Sequence, residues 1–292
     1  MALAAVCIIW GTTYLALKIG VQTVPPVYFA TVRQLIAGGV VLLYFALRRK
    51  IPELSKSFLV HQAIVGFLLI TIGNGIGTIA LKYLDSGIAS LFATLSPFVI
   101  VLFNAMLKVE KQITWVGLVG MALAFAGTSV VLQDNADFYN SRNGILGLTM
   151  FGSAILGWAF GSIYSKTKSF SQNAFLSSGF QMLFGGLLMI PIGLTFEDWS
   201  TATISGDALW ALLYLIVIGS IVAFGSYIYA LSKLPATLVS LHSYVNPVIA
   251  LYVGWLVLDE RLNWNIVLAS ALILLGVYLV SRQALISRQA RK

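Results

Sequence analysis

Charge is scarce in this chain: only 10% of its 292 residues are Asp, Glu, Lys or Arg, against roughly 25% in a soluble globular domain. With 59% hydrophobic residues and a mean hydropathy of +0.92, too few polar groups remain to cover a water-soluble fold, and the chain reads as a polytopic membrane protein. Cysteine is confined to Cys7, inside the first apolar stretch, which excludes a disulfide framework and a cysteine metal site. Its thiol reads as a small buried side chain. The histidines are His61 and His242, far apart, and the acids are scattered, so no clustered hydrolytic or metal centre is expected. Long polar loops are also lacking: none exceeds about a dozen residues, too short for the roughly 30-residue strand-turn-helix unit of a nucleotide-binding fold. No cofactor is expected.

What the chain does have is long apolar runs. Cutting at charged or turn-forming clusters such as Thr23-Val24-Pro25-Pro26, Arg48-Arg49-Lys50 and Lys233-Leu234-Pro235 leaves segments near 2–20, 27–47, 58–82, 86–107, 113–132, 144–165, 172–195, 207–231, 235–258 and 263–281. Each is about one bilayer long at ~1.5 Å per residue. The expected fold is an all-α integral membrane protein of ten transmembrane helices. The first run begins without a charged leader and reads as a retained helix, not a cleaved signal.

Lysine and arginine set the orientation. With the amino terminus inside, Arg48, Arg49, Lys50, Lys56, Lys108, Lys111, Lys166, Lys168, Lys233, Arg282, Arg288, Arg291 and Lys292 all fall on the inner face. Lys18, Lys82, Arg142 and Arg261 fall outside, and Arg33 lies within a span. The positive-inside rule therefore puts both termini in the cytoplasm. This distribution accounts for the net charge of +8; the expected partner is the lipid bilayer, and no nucleic acid.

The chain also repeats itself. At an offset of about 150, Ser90, Pro97 and Glu110 recur as Ser240, Pro247 and Glu260; at 148, Trp10, Lys18 and Gly38 recur as Trp158, Lys166 and Gly186. Proline and glutamate matches carry the weight, since the chain has only 7 Pro and its glutamates are Glu53, Glu110, Glu197 and Glu260. The expected units are residues 1–135, holding the first five helices, residues 144–285, holding the second five, and a basic cytoplasmic tail over 286–292. An odd number of spans per copy turns the second copy upside down, and inverted repeats place a transport site near the axis between them.

Together, Trp10-Gly11 with Lys18, Arg33 in the second span, the pairs Ser96-Pro97 and Asn246-Pro247, and the two repeat-closing glutamates resemble the EamA branch of the drug/metabolite transporter superfamily over essentially the whole chain. The resemblance implies a ten-helix exporter of small metabolites, commonly amino acids and related compounds, aromatic amino acids among them, in a bacterial cytoplasmic (inner) membrane. The second copy departs from the first in having Ala159 for Gly11 and Gln181 for Arg33, so a symmetric pair of cations is not implied.

Polar and aromatic groups at mid-bilayer depth should face a cavity or a partner, because lipid offers no hydrogen bonds. On the first span Trp10, Thr13 and Tyr14 share a face with Lys18 by helical spacing; on the sixth, Trp158, Gly161, Ser162 and Lys166 repeat it. These faces are expected to line a central cavity, or else to be packing surfaces. Asn74 and Thr78, one turn apart in a glycine-rich stretch, and Tyr227 in the matching glycine-flanked stretch are candidate substrate contacts. Pro97 and Pro247 are expected to kink their helices, with Thr94 before the first and His242 and Tyr244 before the second as further cavity candidates. Arg33 is positioned to pair with a substrate carboxylate, or else to snorkel outward or pair with an external acid such as Asp85; Gln181 takes the equivalent place. Glu110 and Glu260 are expected to cap or pair locally, Glu110 with Lys108 or Lys111 and Glu260 with Arg261.

The function read from the sequence is secondary export of small amphipathic metabolites by alternating access. A proton is the candidate coupling ion, although no mid-membrane acid is evident to carry it and His242 reads more readily as a neutral core histidine. A lipid-modifying membrane enzyme and a non-transporting helper subunit are the alternatives.

Overall fold

In a computed structural model of the chain, the described residues are all except 85–88, 91, 111–113, 133–140, 169, 171, 259–263 and 290–292. Among them every regular element is helical. The helices are α1 (Ala2–Thr23), α2 (Pro26–Leu47), α3 (Lys56–Ala80), α4 (Ser96–Leu107), α5 (Trp115–Leu132), α6 (Arg142–Tyr164), α7 (Ala174–Phe196), α8 (Gly206–Lys233), α9 (His242–Leu258) and α10 (Trp264–Gln289). Six of them, α1, α2, α3, α6, α7 and α8, are long and apolar enough to cross a membrane, and shorter apolar helices span Ala93–Leu107, Trp115–Gly127 and Ala271–Val280.

Helices suit an apolar solvent because they satisfy their own backbone, and the ends are where the sequence must intervene. Ser55, Ser141, Asn173 and Ser205 accept from the backbone N–H of Phe58, Gly144, Phe175 and Ala208, capping α3, α6, α7 and α8. Pro25-Pro26 separates α1 from α2 and starts the latter, where a missing N–H is harmless. Arg49 and Lys108 take left-handed backbone (φ 51° and 53°) and end α2 and α4.

Two irregularities recur across the halves. The middle of α3, Phe67–Ile76, is π-helical, and so is the middle of α8, Leu215–Phe224, 148 residues later. Likewise α4 and α9 do not run unbroken from their preceding loops. A 3₁₀ turn at Ala93–Leu95 precedes α4, and a short helix, Ala236–Val239, turns at Ser240 and Leu241 before α9 begins. Both interruptions lie one to two turns ahead of Pro97 and Pro247, whose rings exclude a regular hydrogen bond to the preceding turn.

Helix pairing has the same regularity. α1 packs on α8 and α9 as α6 packs on α3 and α4, α2 on α8 as α7 on α3, while α2 meets α7 and α5 meets α10. The two like-with-like pairs are closed by glycine. A Cβ on Gly38 would sit 2.7 Å from the Leu183 nitrogen of α7, and one on Gly120 would sit 2.8 Å from the Gly276 carbonyl of α10. Backbones approach this closely only over small residues. Large apolar side chains such as Leu43, Leu194, Trp210 and Tyr278 point outward, as expected of a surface solvated by acyl chains.

Candidate functional site

The junction of α1, α2, α3, α4, α6, α8 and α9 encloses a central cavity of about 130 Å³, close to the size of cavity that admits a benzene ring, ~150 Å³. Its lining includes Trp10, Thr13, Tyr14, Arg33, Asn74, Thr78, Trp158 and His242, eight of the thirteen residues expected to contact substrate. Gln34, Ser96, Ser220, Ser243 and Asn246 add polar groups, and Phe151, Ala154, Ile155, Leu215 and Phe224 add apolar wall.

One end of the cavity is aromatic. The Trp10 and Trp158 rings meet edge to face with centroids 5.3 Å apart, and Tyr227 lies 5.1 Å and 5.0 Å from them. His242 stands 4.9 Å from Trp10. The edge-on contacts of Trp10 with Trp158 and His242 suit the ring quadrupoles, while Tyr227 is tilted against both indoles. The Trp10 indole N–H donates to the Gly219 carbonyl, 3.2 Å away in the π segment of α8, where widened turns release carbonyls from the regular ladder. Thr13 and Thr78 donate to Trp10 and Asn74 carbonyls of their own helices. The His242 Nδ1 lies 2.9 Å from the Val239 carbonyl; a carbonyl only accepts, so Nδ1 carries the hydrogen and Nε2 is left an acceptor.

The other end is cationic. Arg33 is 4% exposed, and its Nη2 donates to Asn74 Oδ1 while its Nε has no partner. Gln34 beside it has an unpartnered buried Oε1. Among the described residues no carboxylate pairs with Arg33; Asp85, its expected alternative partner, lies outside them. Buried polar groups are normally satisfied, and a guanidinium most of all. Arg33 and Gln34 therefore form an incomplete constellation, with donor and acceptor capacity left over.

Five expected residues do not line this cavity. Ser162 and Tyr227 are fully buried behind the two tryptophans and bond to each other at 2.6 Å. Ser162 already donates to the Trp158 carbonyl, so the tyrosine hydroxyl is the donor. Thr94 is fully buried outside the lining. Tyr244 points into a separate core with Met121 and Ile273, its hydroxyl 3.5 Å from the Met121 carbonyl. Gln181 donates to Gln62 Oε1 at 2.6 Å and borders a different cavity. Ser162 was expected from helical spacing, Tyr227 from its glycine-flanked stretch, Thr94 and Tyr244 from their place before the prolines and Gln181 from its equivalence to Arg33, but which face meets the cavity depends on the rotation of each helix against its neighbours.

Two lysines hold helix ends, and the partner of Glu110 differs from expectation. Lys18 donates to the carbonyls of Leu81 and Leu84 (3.0 and 2.8 Å), and Lys166 to those of Leu231 and Leu234 (2.6 and 2.8 Å). Each thus holds the carboxyl end of a π-containing helix, where carbonyls lack partners and the helix dipole favours a cation. Glu110 pairs with Lys166 at 3.1 Å, not with Lys108, and both its oxygens accept from the Ala236 N–H. Lys111, and Glu260 with its expected partner Arg261, lie outside the described residues. Asn104 braces the turn, donating to the Glu110 carbonyl and accepting from its N–H. One carboxylate therefore ties the end of α4 to α6 and to the start of the short helix before α9.

Among the missed residues, Phe151, Ala154 and Ile155 were signalled by spacing, since with Trp158 they fall on one helix face. Gln34 was signalled by being an amide within an apolar span. Ser220 and Gly219 had no such signal, because a π segment shifts the helical period.

Comparisons with known proteins agree with this architecture. The profile of the EamA-like transporter family matches the chain over residues 1–133 and 145–282. The inner membrane transporter YedA of Escherichia coli (strain K12) is 32% identical over 288 residues, covering 95% of this chain and 91% of its own. The transporter YoaV of Bacillus subtilis (strain 168) is 26% identical over 285 residues, covering 96% and 95%. A chain in a solved crystal structure, 21% identical, superposes with a TM-score of 0.74 over 97% of both chains, a likeness of fold. The chain belongs to the EamA-like transporter family.

Proposed function

We propose that the protein is a secondary transporter that exports small amphipathic metabolites, amino acids or related compounds, across a bacterial inner membrane by alternating access. In this reading ten helices cross the membrane as two inverted five-helix copies, with both termini cytoplasmic. The pairing of α1 with α8 and α9 against α6 with α3 and α4, the matched π segments and the double family match support the two-copy organisation. The description of YedA as an inner membrane transporter supports the location.

The observation that carries the proposal is the polarity of the central cavity. An apolar or flat part of the substrate would lie against Trp10 and Trp158 while an anionic group meets Arg33, whose Nε is unpartnered. A guanidinium and a carboxylate match in geometry, and the match is stronger away from water. In this reading the cavity orients the two ends of a small molecule. The Glu110–Lys166 pair, which also holds the Ala236 N–H, serves in this reading as a cytoplasmic-side latch, and releasing it is the movement that alternating access requires.

The test is uptake of labelled amino and hydroxy acids into proteoliposomes, with lipid turnover followed in the same vesicles. Saturable flux without lipid turnover is expected. Lipid turnover without flux of any solute would overturn the transporter reading.

A further inference from the structure

A second cavity, of about 690 Å³, lies at the Lys166 end of the bundle, bordered by α3, α7 and α8 and the segment between α6 and α7. Its lining shares no residue with that of the central cavity. Between the two stand Trp158 and the buried Ser162–Tyr227 pair. The repeat nevertheless relates them: Leu17, Arg33, Thr78 and Leu81 line the central cavity, and their counterparts at offsets of 148 to 150, Ser165, Gln181, Ile228 and Leu231, line the second. The second cavity is thus the repeat-related partner of the Arg33 end of the first.

Its chemistry is polar where the other is aromatic. Lys166, Lys168 and Lys233 border it and no Asp or Glu does. Lys166 is engaged with Glu110, Lys168 reaches Ser57 at 3.3 Å, and Lys233 has a partner as well. The same lining holds unused acceptors. Gln181, 2% exposed, has given its amide N–H to Gln62, and its Oε1 has no partner; the Gln172 Oε1 has none either. A buried amide oxygen without a donor is costly, and a wall of lysines with no acid among its described lining residues attracts anions.

We propose that this cavity is a second, separate binding subsite for small organic acids that carry a hydrogen-bond donor beside the carboxylate, such as a hydroxyl or an amine. The carboxylate lies toward Lys168 and Lys233, and the adjacent O–H or N–H donates to Gln181 Oε1. The subsite rests on the transporter reading for its purpose, which is to gather substrate at the cytoplasmic end before the Ser162–Tyr227 layer opens. A phospholipid headgroup could bring the same pairing of anion and donor; the subsite is assigned to the soluble acid because Gln181, the acceptor that selects the donor, is buried.

Reductive ¹³C-methylation of the lysines, in protein held in phosphatidylcholine nanodiscs, allows the Lys168 and Lys233 signals to be titrated with glycolate, L-serine, acetate and L-serinamide. Saturable shifts with glycolate and L-serine are expected, with acetate weaker and the cationic serinamide silent. Gln181→Leu weakens binding about tenfold in this account, and Arg33→Gln leaves it unchanged. Should Gln181→Leu fail to fold, the pair Lys168→Gln and Lys233→Gln is expected to abolish saturation. Shifts that rise linearly without saturating, that follow chloride equally, or that respond only to added phosphatidylethanolamine would overturn the proposal. Flux in proteoliposomes separates the two claims: flux without saturation removes the subsite alone, and saturation without flux removes the transporter reading alone.

Discussion

At the residue scale the decisive contrast is between side chains that are complete within the protein and those that are not. Trp10, Thr13 and Thr78 satisfy their polar atoms on helix carbonyls, so at the cavity they act through surface and shape. Arg33 and Gln34 keep unpartnered atoms and hold the capacity to recognise a ligand. Trp10→Ala or Trp158→Ala is therefore expected to raise the concentration for half-maximal uptake about tenfold, a ring contact being worth ~0.5–1.5 kcal/mol beyond its buried area. The maximal rate should fall less, and concentration dependence of uptake in proteoliposomes measures both. Much of this site was legible in the sequence because aromatic, amide and cationic groups are rare in apolar spans and must have a reason to be there. What could not be read was rotation. Thr94 and Tyr244 sit at suitable depth but turn into other contacts, since azimuth is set by packing between helices far apart in sequence.

At the element scale, the long apolar runs announced themselves by length and by charged ends, whereas the π segments of α3 and α8 did not. A π turn shows no distinctive composition; it arises where glycines and close neighbours let the helix widen. Its consequence is functional geometry, since the Gly219 carbonyl it presents is what holds Trp10. The α5–α10 contact depends on Gly120 and Gly276 meeting backbone to backbone. Gly276→Val is expected to force the pair apart at a cost of about 1–3 kcal/mol, seen as a lower midpoint of thermal unfolding in detergent. Glu110 works between elements in the same sense, and its partner was misread because Lys166 is distant in sequence and near only after folding. Glu110→Gln should weaken the tie to Lys166 while leaving the Lys166 bonds to Leu231 and Leu234. On a Cys7→Ala background carrying Ser240→Cys, at a serine that is buried one turn beyond Ala236, it is expected to speed labelling by an impermeant maleimide several-fold; unchanged labelling would remove Glu110 as a latch.

At the scale of the whole molecule, the two halves share a framework and differ, among other positions, at Arg33 and Gln181. The repeat supplies paired lysine caps, paired π segments and paired broken helices. Arg33 in one copy and Gln181 in the other make the assembly polar, placing a buried cation at one cavity and an amide at its counterpart. The duplication was visible in Pro97, Glu110 and their echoes, because proline and glutamate are too rare here to coincide by composition. That the two copies of one lining become two distinct cavities was not, because it depends on the state in which the halves are packed. The most direct test is proteoliposome uptake of L-phenylalanine against L-phenylalaninamide, with the wild-type chain and Arg33→Gln compared at equal reconstituted amounts. The account predicts that the wild type carries the carboxylate at least about tenfold faster than the amide and that Arg33→Gln abolishes the preference. Equal flux of the two in the wild type, or a preference that survives Arg33→Gln, would contradict it.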